Sequence, residues 1–351
     1  MTVHAVLPDG VDDPARPSGG NVYDRRVCSG LAALGWSVHE HVVAGFWDRP
    51  NATAFADLAG LLQAIPDGAV VLLDGLIAST APDVLVPQAH RLRLVVLVHM
   101  PLGDRPRESD ARTREGAVLS TAAAVVTTSL WARDRLLELY ALPPDRVHVA
   151  HPGVDAAEPA SGTTAGDALL CVAAVTVDKG HDLLLDALIA ISDLAWSCVC
   201  VGRLDRDPAF VDALRRRARD DGLGDRMQFP GTRTGAELDR SYAAADVMVL
   251  ASRAETYGIV YIEALARGLP VIAADVGGVS EAMGRRAEAM RPGLLVPPDD
   301  AAALGEALRA WLVDAQLRTR LRQAALERRK SLPDWSSTTS VLAAVLAGAS
   351  R

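Results

Sequence analysis

Two carboxylates, Glu255 and Glu263, are the residues of this chain best placed to do chemistry. They lie in the run Ala251-Ser252-Arg253-Ala254-Glu255-Thr256-Tyr257-Gly258-Ile259-Val260-Tyr261-Ile262-Glu263-Ala264-Leu265-Ala266. Taken singly, each has an ordinary explanation: a helical glutamate is usually solvated or pairs with a residue four positions on, here Arg267. Together they bracket the start of a helix. A carboxylate four residues after Ile259 shares its face with Ile259, Ile262 and Ala266, and burial there is costly without a partner. Helical side chains lean toward the helix start, so Glu263 is expected to aim at the loop that carries Glu255. The amides of Tyr257, Gly258 and Ile259 at the same helix start form an anion site. Two hydroxyl acceptors beside an amide cradle for phosphate match the needs of a sugar nucleotide.

The elements that must position these groups are legible as alternating apolar and helical segments. Strand-like runs occur at Val3–Leu7, Ser37–Val43, Val70–Leu73, Leu94–Val98, Ala123–Thr127 and Arg146–Val149. They resume at Leu169–Val175, Ser197–Val201, Met227–Phe229, Val247–Leu250, Val271–Ala274 and Leu294–Val296. Helical patterns lie between them, which predicts parallel sheets covered on both faces, in two doubly wound halves. Residues 1–155 form the first domain. Residues 156–167, rich in Ala, Ser, Thr, Gly and Pro and without periodicity, read as a linker. Residues 168–334 form the second domain, and a last helix follows from Trp335 to about Ala349.

Lys179 follows the strand Leu169–Val175 and precedes a helix expected over Asp182–Ile191. A cation at a helix start opposes the helix dipole, so its placement points to an anion supplied from outside. Lysines are rare here: Lys179 and Lys330 are the two in the sequence. In the first half, Ser18-Gly19-Gly20-Asn21 lies between the first strand and a helix expected over Val22–Leu34, where doubly wound sheets bind ligands. Two glycines there let a phosphate or sugar approach the backbone, although the pair also fits an ordinary turn. His99 ends a strand, where a lone histidine is more often structural, and Asp74 ends another as a weaker candidate.

The Glu-x7-Glu element and its continuation, Glu263-Ala264-Leu265-Ala266-Arg267-Gly268-Leu269-Pro270-Val271-Ile272-Ala273-Ala274-Asp275-Val276-Gly277-Gly278, then Gly293-Leu294-Leu295-Val296-Pro297-Pro298-Asp299, resemble the retaining glycosyltransferases of family four. The resemblance is strong from about Ala168 to Asp300 and weaker over the first half. It implies the GT-B architecture: two Rossmann-like domains facing a cleft, with the C-terminal helix, about 335–351, crossing back to the first domain. It implies that Glu255 contacts donor sugar hydroxyls, Glu263 holds the ribose and Lys179 binds the donor diphosphate. Gly19 and Gly20 would face the donor, and His99 would stand beside the donor sugar or the acceptor. Asn21, Asp24, Arg25 and Asp74 are further candidates on the acceptor side. The family has an arginine five residues before the lysine; here that position is Ala174. Arg203 or Arg253 could replace it, or Lys179 and backbone amides could hold the diphosphate alone.

Composition narrows the alternatives. The chain has 351 residues, half of them apolar, enough for two domains. A net charge of −8 argues against nucleic acid, and aromatics at 4% argue against a stacking platform. Residues 1–155 carry thirteen arginines and no lysine against eighteen acidic residues, a net of −5. The mixed charges of Asp104–Glu115 read as a solvated helix or loop and not a membrane-binding stripe. No apolar run approaches a membrane span and no secretory signal is evident, so a cytoplasmic protein is expected. Cys28, Cys171, Cys198 and Cys200 show no disulfide framework; free thiols fit best, with Cys198-x-Cys200 as a metal half-site the alternative. Asp205-Arg206-Asp207 spells a metal-binding Asp-x-Asp, but it precedes Pro208 and a helix, where acidic residues cap, so no metal is expected.

The expected activity is retaining transfer of a sugar from a nucleoside-diphosphate donor to a soluble small-molecule or saccharide acceptor. Uridine, guanosine, adenosine and thymidine carriers stay open. A sugar phosphorylase or synthase of the same architecture is one alternative; a nucleotide-sugar binding protein without turnover is another.

Overall fold

The computed structural model describes residues 1–104, 110–284 and 290–350. The chain divides into two compact units. The first comprises Met1–Asp13, Ser18–Gly153 and Pro333–Arg351; the second comprises Pro14–Pro17 and Val154–Leu332.

In the first unit the order is β1 (Thr2–Pro8), α1 (Gly19–Ala33), β2 (Ser37–Val43), α2 (Ala52–Ala64), β3 (Val70–Asp74), α3 (Gly75–Thr80), α4 (Pro82–Leu85), β4 (Arg93–Val98), α5 (Ala111–Thr121), β5 (Ala124–Thr127), α6 (Leu130–Tyr140) and β6 (Val147–Val149). The six strands are parallel, in the order β2-β1-β3-β4-β5-β6. Every residue of β3 and five of the six in β4 are buried, as expected of a sheet covered on both faces.

The second unit contains β7 (Ala168–Val172), α7 (His181–Ile189), β8 (Ser197–Val201), α8 (Pro208–Asp220), β9 (Met227–Gly231), α9 (Gly235–Ala243), β10 (Val247–Leu250), α10 (Ile259–Ala266), β11 (Val271–Ala274), α11 (Val279–Ala282), β12 (Gly293–Val296), α12 (Ala301–Val313) and α13 (Ala315–Arg329). Its sheet runs β12-β11-β10-β7-β8-β9, also parallel. Strand order reverses between β7 and β10, and the loops after those two strands carry Lys179 and Glu255. That reversal is where doubly wound sheets open a crevice for ligands.

The last helix, α14 (Trp335–Ala349), belongs to the first unit and packs on α1. Leu342 and Leu346 are fully buried, and burial of each leucine contributes about 1.5–3 kcal/mol. Thr338 Oγ1 donates to the His151 carbonyl at 2.7 Å. The Trp335 ring meets Tyr23 edge-on, and Tyr23 in turn meets His99 edge-on.

Two expectations need correction, and the linker residues prove anchored. The helix expected from Val22 begins at Gly19, because Ser18 Oγ accepts the Asn21 N–H at 3.0 Å and caps it there. The glycine pair is therefore the first helical turn and not a loop. Residues 156–167 do not hang free: the buried Asp246 carboxylate takes the Thr163 and Ala168 N–H groups and the Thr163 hydroxyl. Of the stretch 104–115, read as solvated, residues 105–109 lie outside the described residues, and Glu115 is buried. Its carboxylate accepts Ser79 Oγ, the Leu102 and Gly103 N–H groups and the Tyr140 hydroxyl. Among the described residues no helix is long and apolar enough to cross a membrane.

Candidate active site

In the second unit, β7 ends in the loop that leads through a 3-10 turn, Val177–Lys179, to α7. Gly180 caps α7 with φ +66°, and a Cβ there would lie 1.9 Å from the Ala251 carbonyl oxygen. A side chain at this position would be both strained and in collision, so the close approach of the two switch-point loops requires glycine. The approach is sealed by the Arg253 N–H, which donates to the Asp178 carbonyl at 2.8 Å.

The result is an ion pair. Lys179 Nζ donates to Glu255 Oε1 at 2.6 Å, and Ser252 Oγ donates to the same oxygen at 2.9 Å. The glutamate side chain is 9% exposed and the lysine 30%, so the pair is shielded but reachable. From behind, Gly277 holds the Glu255 loop: its φ is +55°, and a Cβ there would lie 1.7 Å from the Glu255 carbonyl oxygen. The same carbonyl accepts the Gly278 N–H. Residues 277–278 of the motif's continuation thus clamp the loop of its first glutamate.

Glu263 projects from α10, and the Tyr242 hydroxyl of α9 donates to its Oε2 at 2.8 Å. Burial raises its pKa, against the lowering effect of Tyr242 and Arg267. Arg267 makes no ion pair with the glutamate four residues back. It donates to the Glu263 carbonyl, pairs with Asp239 and lies 4.5 Å over the Tyr242 ring. Gly258 caps α10; the Tyr261 N–H donates to the Gly258 carbonyl at 3.0 Å, the Ile259 N–H precedes the helix's own ladder, and Tyr257 is buried alongside.

The two arginines that could replace the cation absent at Ala174 are both engaged. Arg203 forks onto Asp205 at 2.9 and 2.8 Å. Arg253 binds Asp182 through both terminal nitrogens at 2.9 Å and Asp299 through Nε at 2.7 Å. Asp207 accepts the Phe210 N–H as the cap of α8. Among the described residues, Lys179 is the cation paired directly with a motif carboxylate, Glu255.

The first unit gathers His99, Asp24 and Asp74. His99 Nε2 lies 2.8 Å from Asp24 Oδ1 and 3.5 Å from Asp74 Oδ2, and both carboxylates are nearly inaccessible. Topology explains the meeting: β3 and β4 pair with Asp74 opposite Leu97, two residues before His99, and α1 lays Asp24 across them. Gly20 packs under the His99 ring, where a Cβ would lie 3.2 Å away. Asn21 is turned aside, its Nδ2 donating to the Gly10 carbonyl, and Arg25 pairs with Asp12 and Glu40. Burial, then Asp24, pushes the Asp74 carboxyl up to about 7, against His99 and the N–H groups of Leu76 and Ile77. Burial opposes charge on His99, but Asp24 and Asp74 outweigh it and raise its pKa. Asp24 Oδ2 is buried with no hydrogen-bond partner. The ligand atoms of these three residues lie within 4.8 Å of one another, a donor set suited to an acceptor hydroxyl or a hard divalent ion.

Tyr242 and Ser252 are site residues without a motif signature. Ser252, directly after β10, could be inferred as a brace for its loop; Tyr242 becomes relevant only once α9 and α10 are packed. A cavity of about 950 Å³ in the first unit, lined by Asp48, Arg49, Phe55, Thr80, Pro82 and Arg114 among others, includes none of these site residues.

The geometry is that of a doubly wound sheet with polar groups gathered at its switch point, and comparison with known proteins gives the family. Residues 162–328 match the family model described as glycosyl transferases group 1, and residues 17–158 match that of glycosyltransferase family 4. A D-inositol 3-phosphate glycosyltransferase of Catenulispora acidiphila is 34% identical over 316 residues, covering 82% of this chain and 74% of the relative. One from Jonesia denitrificans is 31% identical over 281 residues, covering 74% of this chain and 65% of the relative. Among solved structures, a sucrose-phosphate synthase from Thermosynechococcus elongatus superposes with a TM-score of 0.81 at 22% identity, over 99% of this chain and 98% of that one. Anabaena HepE, in complex with UDP and glucose, gives 0.78 at 17% identity, over 99% and 100%. The chain belongs to glycosyltransferase family four and has the GT-B fold.

Proposed function

We propose that this protein transfers a sugar, with retention, from a nucleoside-diphosphate sugar bound to the second unit onto a hydroxyl of a small polyol or saccharide bound to the first. The Lys179–Glu255 pair at the reversal of strand order carries the reading. A diphosphate that takes Lys179 releases Glu255 from its lysine and leaves it to receive sugar hydroxyls, while Glu263, oriented by Tyr242, receives the ribose. The bond from the anomeric carbon to the phosphate oxygen breaks as the acceptor oxygen attacks from the same face, and the leaving phosphate takes the acceptor's proton. The protein's contribution is positioning and charge stabilisation at the leaving group.

The relatives' name points to an inositol phosphate acceptor. The buried carboxylate oxygens around His99, one of them without a hydrogen-bond partner, favour a hydroxyl donor over a phosphate. No metal is assigned to the donor site: Asp205 and Asp207 already serve Arg203 and the α8 cap. A second reading, nucleotide-sugar binding without turnover, is supported by Ala174 and by the carboxylates that occupy Arg203 and Arg253.

The test is thermal stability with UDP, GDP, ADP and dTDP, each with magnesium and with chelator, followed by donor turnover against inositol and inositol phosphate. UDP comes first because the Anabaena protein was solved with it. A nucleotide at a hundred times its Kd adds about 2.7 kcal/mol. Stabilisation by one nucleotide regardless of chelator, lost in Glu263→Ala, together with turnover lost in Glu255→Ala, supports the proposal. Stabilisation without any turnover moves it to the binding reading; no stabilisation by any nucleotide rejects both.

A further inference from the structure

Three of the chain's four cysteines meet in the core of the second unit. Cys171 on β7 and Cys200 on β8 are register partners in the parallel ladder, so their side chains leave the same face of the sheet. His181, the first residue of α7, packs onto that face. Its Nε2 lies 3.5 Å from Cys171 Sγ, and the two sulfurs and the nitrogen are all within 4.8 Å of one another. Cys198 Sγ is a further 3.9 Å from Cys200 Sγ. None of the three cysteines or His181 is more than 1% exposed, and all four cysteines of the chain are free thiols.

We propose that Cys171, Cys200 and His181 form a binding site for a thiophilic d10 ion, zinc, with Cys198 the nearest fourth donor. The spacing suits the ion. Zinc bonds of about 2.3 Å to sulfur and about 2.0–2.1 Å to imidazole, at tetrahedral angles, place sulfur and nitrogen about 3.5 Å apart. The donor types are right for a soft ion and wrong for magnesium or calcium. The charge balances as well: two thiols release their protons to solvent, and two thiolates with a neutral imidazole neutralise a divalent ion, which a dry core tolerates. A sulfur contact at 3.5 Å is a weak partner for a fully buried imidazole nitrogen, and a zinc bond to Nε2 would be a far stronger one. The ion would tie β7, β8 and the start of α7 together two residues beyond Lys179. Because the site is sealed, it must load as the chain folds.

The experiment uses the full chain, unfolded and refolded with zinc or with chelator, desalted, and assayed for metal and for free thiols in denaturant. The expected result is about one zinc per chain, loss of that zinc in Cys171→Ser and in Cys200→Ser, and retention in Cys28→Ser, whose thiol lies in the first unit. Should the serine variants fail to fold, the wild type refolded with cobalt decides: thiolate-to-cobalt charge-transfer absorption supports the site and its absence rejects it. Refolding with zinc that yields no bound metal and four titrating thiols overturns the proposal. Two missing thiols without metal do so too, in favour of a disulfide. Zinc that survives both serine substitutions also overturns it, and places the ion elsewhere.

Discussion

The two units solve the same topological problem and arm the solution oppositely. Each is a six-stranded parallel sheet whose order reverses beside its first strand, and each presents its chemistry on loops or helices that follow the strands there. In the second unit the carboxylates are matched: Glu255 by Lys179 and Ser252, Glu263 by Tyr242. In the first, one histidine stands between two buried carboxylates, and Asp24 Oδ2 has no partner. On the proposed function, the matched side would exchange its lysine for an incoming anion and the other side would offer acceptors to hydroxyls. One scaffold can therefore serve a charged ligand or a neutral one, depending on whether its carboxylates have a cation.

Removing the cation should break the contrast most severely. Lys179→Ala leaves the second unit with an unmatched carboxylate of its own, and turnover should fall roughly a hundred- to a thousandfold, with nucleotide stabilisation lost. Steady-state rates and thermal shifts check both. If the variant keeps its rate, the ion pair is merely structural.

The next largest effect divides labour between the units. Asp24→Ala should lower turnover about ten- to a hundredfold by loosening His99, while nucleotide Kd, measured by calorimetry, stays within about twofold. Equal losses in both would erase the assignment of donor and acceptor to separate units.

A third effect lies in pH. The folded-state pKa values of Asp74, about 7, and His99 are both raised, so the folded protein holds protons that the unfolded chain releases. Their stabilising contribution is fully present below the unfolded carboxylate value and is lost as pH rises through the folded ones. Denaturation midpoints should therefore decline from about pH 4 to beyond pH 7, by about 1 kcal/mol per pH unit from Asp74. Asp74→Asn should flatten the decline. An unchanged slope would show that other groups set it.

The smallest effect sharpens the second unit. Ala174→Arg restores the cation that the family pattern leads one to expect, and should tighten nucleotide binding by less than about tenfold, since Lys179 already acts and a half-exposed charge is screened. Looser binding would mean that residue 174 faces away from the diphosphate.

The strands were legible because parallel, twice-covered strands leave continuous apolar runs, and the switch-point loops followed from them. The Glu255–Glu263 element could be proposed from sequence because it is local. What distance in sequence hides is partnership. Tyr242 lies 21 positions from Glu263 and Lys179 lies 76 from Glu255, and only packing reveals them as neighbours. The start of α1 was misread for a different reason: two glycines signal a turn, but the Ser18 cap outweighs their weak helix propensity. Glu115 was misread because its neighbours in sequence are charged, whereas its partners come from α3, α6 and the loop after β4.

The return of α14 to the first unit has a consequence for biogenesis. During vectorial synthesis the residues of the second unit have all left the ribosome before Trp335 emerges, so the second unit can finish folding first. The first unit must wait, with the α1 surface that α14 covers exposed, until the closing residues arrive. A chain that stops before Trp335 would then carry the second unit whole and leave that α1 surface uncovered.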